Sequence, residues 1–308
     1  MTPSRKTVLI LGYGEMGHAM QMLLKDRHDL HIWDRFPSPA MKSVVLEDAA
    51  PQADFVVFCL PVKPHREVAE TIAPLLKPAC ICISIAKGLD NSGQTAAQIF
   101  AGVFGAENSD FAFLYGPMIS EELRNGLYGF AQLACSSEDA CPRVQNLFSG
   151  SSLLIAPSDD ITGISWAVIL KNVYAIVFGM ADGLGLGDNM RGFLMATSLS
   201  ELDAIVRVMG GKAGTPYGLA GLGDLVTTAT SEKSHHHELG RRLARGETGD
   251  VRGEGVHTLA MVEQHGLFEW RDYPLFSLIK RLLDQPQSIE REIPAFARDS
   301  QSVRLFAE

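Results

Sequence analysis

The stretch VLILGYGEMGHAM, Val8 to Met20, decides the fold. Its four leading apolar residues, Val8 to Leu11, read as a buried strand, Met16 to Arg27 as a helix, and Leu30 to Trp33 as a second strand. At the joint, Gly12, Gly14 and Gly17 spell G-x-G-x-x-G, with Tyr13, Glu15 and Met16 between them. Glycines there allow a tight turn and let a pyrophosphate approach the backbone, where its charge meets the unsatisfied N–H groups that open a helix. The motif alone is weak, but Asp34 follows Gly14 by 20 residues at the end of the second strand. A carboxylate in that place accepts from both ribose hydroxyls of a dinucleotide. Asp34 would repel a 2′-phosphate and so points to NAD, while the adjacent Arg35 could accept one and leaves NADP open.

Outward from this unit, short apolar runs alternate with helix-length stretches. Further strands are expected at Phe55 to Cys59, Ile81 to Ile85, Phe111 to Tyr115, Phe130 to Cys135 and Leu153 to Ile155. Near-continuous β-branched and aromatic runs suit strands covered on both faces, hence an α/β fold with a mostly parallel, doubly wound sheet of Rossmann type. After Pro157 the texture changes to long helices punctuated by glycine: Ile161 to Ala181, Met190 to Met209, Gly255 to His265 and Leu275 to Leu283. In the second of these, Leu199, Leu202, Val206 and Met209 recur at the spacing of one buried face, and Gly210-Gly211 ends the helix. A chain of 308 residues exceeds what one core usually serves, so two domains are expected. Residues 1–158 would bind the dinucleotide and 159–308 would form an all-helical substrate and catalytic domain.

A net charge of -9 disfavours nucleic acid and anionic membranes as partners, leaving a small-molecule substrate. The apolar run from Ile161 to Met180 is long enough to raise the question of a membrane span. Lys171 and Asn172 interrupt it at the centre, where charge is most costly, so a buried helix carrying a lysine is expected instead. The polar lead Met1 to Lys6 lacks a secretory apolar region, which argues against secretion. Cys59, Cys80, Cys82, Cys135 and Cys141 form no CxxC pair, and four lie in or beside apolar runs; five reduced, buried thiols are expected.

Six collinear stretches carry a resemblance over nearly the whole chain: LGYGEMG (11–17), SIAKGLD (84–90), YGPMISEEL (115–123), LKNVYAIVFGMADGLGLGDN (170–189), AGLGDL (220–225) and GEGV (253–256). In these the sequence resembles bacterial NAD(P)-dependent glycerol-3-phosphate dehydrogenases. The resemblance implies a Rossmann-type domain followed by a helical one, and reversible hydride transfer between dihydroxyacetone phosphate and glycerol 3-phosphate in phospholipid biosynthesis. It implies a cytoplasmic homodimer. Carried over by position, Lys171 is similar to the family's essential lysine, Lys87 to its second active-site lysine and Asp224 to its substrate-binding aspartate. Gly116 and Asn172 would lie beside the substrate, with Ser120 and Glu254 among the cofactor contacts.

The residues support these roles on their own terms. Hydride transfer at C2 must be matched by proton exchange at the C2 oxygen, which calls for a group that gains and loses a proton there. Lys171 is flanked by Ile169, Leu170, Val173 and Tyr174, and such surroundings disfavour its charged form. Lys87 ends a strand ahead of Gly88, where an open sheet has its ligand crevice.

The pattern breaks after AGLGDL. The family has a Ser-Arg-Asn triplet whose arginine helps bind the substrate phosphate, and this chain reads Ser234-His235-His236. An imidazole does not equal a bidentate guanidinium on phosphate. Either His235 or His236 binds phosphate when protonated, or Arg241 or Arg242 reaches in, or the substrate is another, unphosphorylated, keto or hydroxy compound. Met118, where the family has Ser or Thr, and Glu15-Met16, where it has an aromatic, also depart. The run His235-His236-His237 does not read as a metal site, because successive helical side chains diverge by roughly 100° and no i, i+4 pair is present.

Overall fold

The computed structural model describes residues 5–39, 41–105, 109–231, 233–249 and 251–299. Seven strands form one sheet: β1 (Thr7–Leu11), β2 (Asp29–Trp33), β3 (Phe55–Phe58), β4 (Ile81–Ser84), β5 (Asp110–Tyr115), β6 (Gly129–Cys135) and β7 (Leu153–Pro157). The helices are α1 (Glu15–Leu24), α2 (Leu46–Ala49), α3 (His65–Ile72), α4 (Ala96–Val103), α5 (Ser120–Arg124), α6 (Ala140–Leu147) and α7 (Ile161–Gly183). They continue as α8 (Gly187–Val208), α9 (Asp224–Thr230), α10 (His235–Ala244), α11 (Glu254–His265), α12 (Pro274–Asp284) and α13 (Ile289–Arg298). The chain divides into two compact units: residues up to Asp90 with Gln94–Ile161, and Asn91–Gly93 with Thr162 onward.

In the first unit the strand order is β2-β1-β3-β4-β5-β6-β7. All neighbours are parallel except β5 and β6. The central strands β1, β3 and β4 are apolar and buried except for half-buried Thr7 at the start of β1 and buried Ser84 at the end of β4, because both of their faces are covered. The edge strands β2 and β7 are half-exposed, and β6 alternates between buried and open positions. The strand order reverses between β1 and β3, since β2 lies to one side of β1 and every later strand to the other. Such a switch point leaves a crevice at the carboxyl ends of the two strands.

Contrary to what their spacing suggests, the five cysteines are not all reduced thiols. Cys135 and Cys141 are joined as a disulfide with their Cα atoms 5.7 Å apart, while Cys59, Cys80 and Cys82 are free. The end of β6 and the first turn of α6 bring the two side chains face to face across a short connection, a proximity that strand-like composition does not report.

The second unit is helical. In α7 every residue from Gly163 to Ala181 is buried, Lys171 and Asn172 included. It is the one helix among the described residues long and apolar enough to cross a membrane, and 89% of its most apolar window is buried in the fold. Helices α7 and α10 touch backbone to backbone: a Cβ on Gly240 would lie 2.0 Å from the Ile176 carbonyl oxygen, and one on Gly179 1.9 Å from that of His237. The N-terminus of α12 has no side-chain cap of its own, and Pro274 brings no N–H. Glu201 of α8 takes over: its carboxylate accepts from the Leu275 and Phe276 N–H groups at 2.6 and 2.9 Å and from the Tyr174 hydroxyl at 3.0 Å. Burial nevertheless pushes the Glu201 carboxyl up to about 7 against the pull of these three donors.

Candidate active site

Two clusters of chemistry-bearing groups stand out, one in each unit. In the first, the glycine turn after β1 is held by its own backbone. Gly12 adopts φ +92°, and a Cβ there would lie 2.7 Å from Leu60 Cδ2; a Cβ on Gly17 would lie 2.2 Å from the Gly12 carbonyl oxygen. Only glycine fits either place. Gly14 is different: it is the N-cap of α1, has no side-chain cap, and a Cβ on it would meet nothing within 4 Å. The helix thus presents bare N–H groups to open space.

That space is a cavity of about 590 Å³ lined by Gly12, Gly14, Asp34, Arg35, Lys63 and Glu67 among others. Asp34 is fixed at its rim, Oδ2 accepting from the Tyr13 N–H at 2.6 Å and Oδ1 from the Phe36 N–H at 2.8 Å. A carboxylate has about four acceptor positions, so two remain for ribose hydroxyls. Arg35 donates to Glu67 at 2.7 Å. The side chains between the glycines turn elsewhere. Tyr13 stacks on His18 with ring centres 3.9 Å apart, Met16 packs against the core, and Glu15 pairs with Arg124 at 2.8 Å and accepts from the Ser120 hydroxyl at 3.2 Å. Lys87, past the end of β4, donates to the Gly116 carbonyl at 3.2 Å.

In the second unit Lys171 is 5% exposed and its ammonium lies 3.2 Å from Asp224 Oδ1 and 2.5 Å from the Thr228 hydroxyl. That hydroxyl in turn donates to the Asp224 carbonyl at 2.7 Å, so one turn of α9 furnishes both partners. The next residue on α7, Asn172, donates to Glu254 at the start of α11 at 3.0 Å. Sequence reasoning brings Lys171, Asp224, Asn172 and Glu254 to notice but misses Thr228; its i+4 spacing from Asp224 was the available signal. Ser234 caps α10, accepting from the His237 N–H at 3.3 Å. The three histidines diverge: His235 is exposed, the His236 ring lies against Gly253, and His237 is buried on Asp182 at 2.7 Å. Arg241 and Arg242 face Glu238 and Glu247 at 3.9 and 3.5 Å.

A glycine turn opening onto a cavity at the sheet's switch point, with a carboxylate at the end of β2, defines a dinucleotide-binding protein of the Rossmann class. The family models for the N- and C-terminal parts of NAD-dependent glycerol-3-phosphate dehydrogenase match residues 35–141 and 160–293. The chain belongs to this family. It is 31% identical to the glycerol-3-phosphate dehydrogenase (NAD(P)+) of Agrobacterium fabrum, covering 91% of this chain and 93% of that one. With the protein of the same name from Trichormus variabilis the identity is 33%, over 90% of this chain and 91% of that one. The crystal structure of glycerol-3-phosphate dehydrogenase from Coxiella burnetii shares the fold at a TM-score of 0.81 and 24% identity, covering 96% of this chain and all of that one.

Proposed function

We propose that this chain catalyses reversible reduction of dihydroxyacetone phosphate to sn-glycerol 3-phosphate with a nicotinamide coenzyme. The observation that carries the reading is the buried Lys171–Asp224–Thr228 cluster within the part of the chain matched by the family's C-terminal model. A nicotinamide coenzyme held at the glycine turn would supply the hydride for C2 of the ketone. Lys171 supplies the matching proton to the C2 oxygen, and takes one back in the reverse direction. Asp224 and Thr228 aim the ammonium, an orientation worth more in a buried site than in water because nothing need reorganise as charge develops. The resemblance assigns to the substrate Asn172, held by Glu254 in the second unit, and, in the first unit, Gly116 and Lys87 at the carboxyl end of the sheet. Gly12, Gly14 and Gly17 cradle the pyrophosphate, and Asp34 takes the adenosine ribose hydroxyls, which favours NADH over NADPH.

Loss of NADH absorbance on addition of dihydroxyacetone phosphate tests the reading directly. Turnover of an unphosphorylated keto acid or ketone without turnover of dihydroxyacetone phosphate would reject it. It would favour the second reading, a reductase of the same fold with a changed substrate, for which the imidazoles of His235 and His236 in place of a phosphate-binding arginine speak. A cytoplasmic homodimer belongs to the proposal, and light scattering of the purified protein tests the dimer.

A further inference from the structure

His65, the first residue of α3, is fully buried in the first unit and lies outside the chemistry above. Its ring packs against both Phe58 and Phe100, with centroids 5.1 and 5.6 Å away, the two phenylalanines themselves touching edge to face. Nδ1 is 2.8 Å from the Pro61 carbonyl oxygen, and Nε2 is 2.9 Å from the Ser84 hydroxyl. A carbonyl can only accept, so the proton resides on Nδ1, and Nε2 must accept from the serine. The serine oxygen in turn accepts from the Ala86 N–H at 3.2 Å, one residue before Lys87. Burial drives the imidazole down to about 4, against the pull of the Pro61 carbonyl, so this tautomer is kept throughout the neutral range.

The chain of bonds joins two functional walls. Pro61 follows β3 and lines the coenzyme cavity, while Ala86 and Lys87 follow β4. We infer that His65 is a positioning residue: through Ser84 it fixes the backbone carrying Lys87 in register with the wall of the coenzyme cavity. Without it, Ala86 would keep a buried N–H with a freely rotating hydroxyl as acceptor, and the lysine after it would lose its set direction. The inference rests on the proposed substrate-holding role of Lys87.

The test is a double-mutant cycle read by binding, so it works in inactive variants. The readout is the affinity of dihydroxyacetone phosphate for the protein saturated with NAD+, followed by intrinsic fluorescence. His65→Phe keeps an aromatic ring but cuts the bonds to Pro61 and Ser84, leaving the serine on Ala86; Ser84→Ala removes the hydroxyl and with it the bonds to both His65 and Ala86. Each should weaken dihydroxyacetone phosphate roughly 10-fold or more, the scale of one misdirected charge-assisted hydrogen bond. Ser84→Ala should leave NAD+ affinity unchanged within about threefold, on the same conversion of bond energy to affinity. In a Lys87→Ala background neither substitution should weaken substrate binding further. An equal penalty in both backgrounds, or none in either, overturns the inference, because a purely structural histidine would act irrespective of Lys87. Unaltered substrate affinity in Lys87→Ala alone would instead reject the role of that lysine. If His65→Phe does not fold, Ser84→Ala carries the cycle by itself.

Discussion

Glu201 offers the sharpest quantitative test of the helical unit. Its carboxylate takes three donors, two of them the Leu275 and Phe276 amides that open α12. Glu201→Ala strands all three in the interior. At about 1 to 3 kcal/mol for each orphaned buried donor, less what is recovered by no longer burying a carboxylate, the loss should be several kcal/mol. Glu201→Gln separates the charge from the shape. Because the folded carboxyl titrates near 7 and the unfolded one near 4.5, the native state holds more protons between those values. The contribution of Glu201 to stability therefore declines as pH rises from 4.5 to 7 and levels off above, by about 3 kcal/mol in all at 1.36 kcal/mol per pK unit. Glutamine does not titrate, so the advantage of wild type over Glu201→Gln should be largest near pH 4.5 and should shrink by about that amount by pH 8. Denaturant melts in a Trp33→Phe background read the second unit alone, since the remaining tryptophans, Trp166 and Trp270, both belong to it. A difference between the two proteins that does not change with pH would refute the reasoning.

Other outcomes follow from the site. Gly17→Ala should abolish NADH binding by disrupting the turn itself, whereas Gly14→Ala should fold as wild type and lose coenzyme affinity only where the ligand must approach; fluorescence titration and thermal melts distinguish the two. Lys171→Met should remove turnover while NADH affinity stays, and should cost about 3 to 5 kcal/mol by leaving Asp224 buried without its cation, a cost that Lys171→Met/Asp224→Asn largely restores. Full activity in Lys171→Met would remove the proposed proton route. Introducing His235→Arg should lower KM for dihydroxyacetone phosphate several-fold with little change in kcat, and an unchanged KM would show that His235 does not face the phosphate. Gly240→Ala should destabilise the second unit by several kcal/mol, since its Cβ would overlap the α7 backbone, and an unchanged melt would contradict that contact.

What the sequence determined by itself is everything that local spacing encodes. Short apolar runs bounded by turn residues at β1, β3 and β4 announce strands covered on both faces, because a buried helix needs a longer run, as in α7. The three glycines and Asp34 fix the turn and the carboxylate because their steric demands lie within one βαβ unit. A lysine in the middle of an apolar helix signals burial with a partner, and collinear motifs identify Asp224 as a candidate for that partner. The tertiary structure alone decided which distant surfaces meet. Periodicity says that a face is buried but not against what, so the antiparallel step between β5 and β6, the Thr228 hydroxyl on Lys171, and the Cys135–Cys141 bond could not be read from spacing. Glu201 and His65 lay furthest from view: a lone glutamate on a helix and a lone histidine after a proline look like surface residues. Only the fold, by burying them beside donors and acceptors from other elements, gives each of them a task.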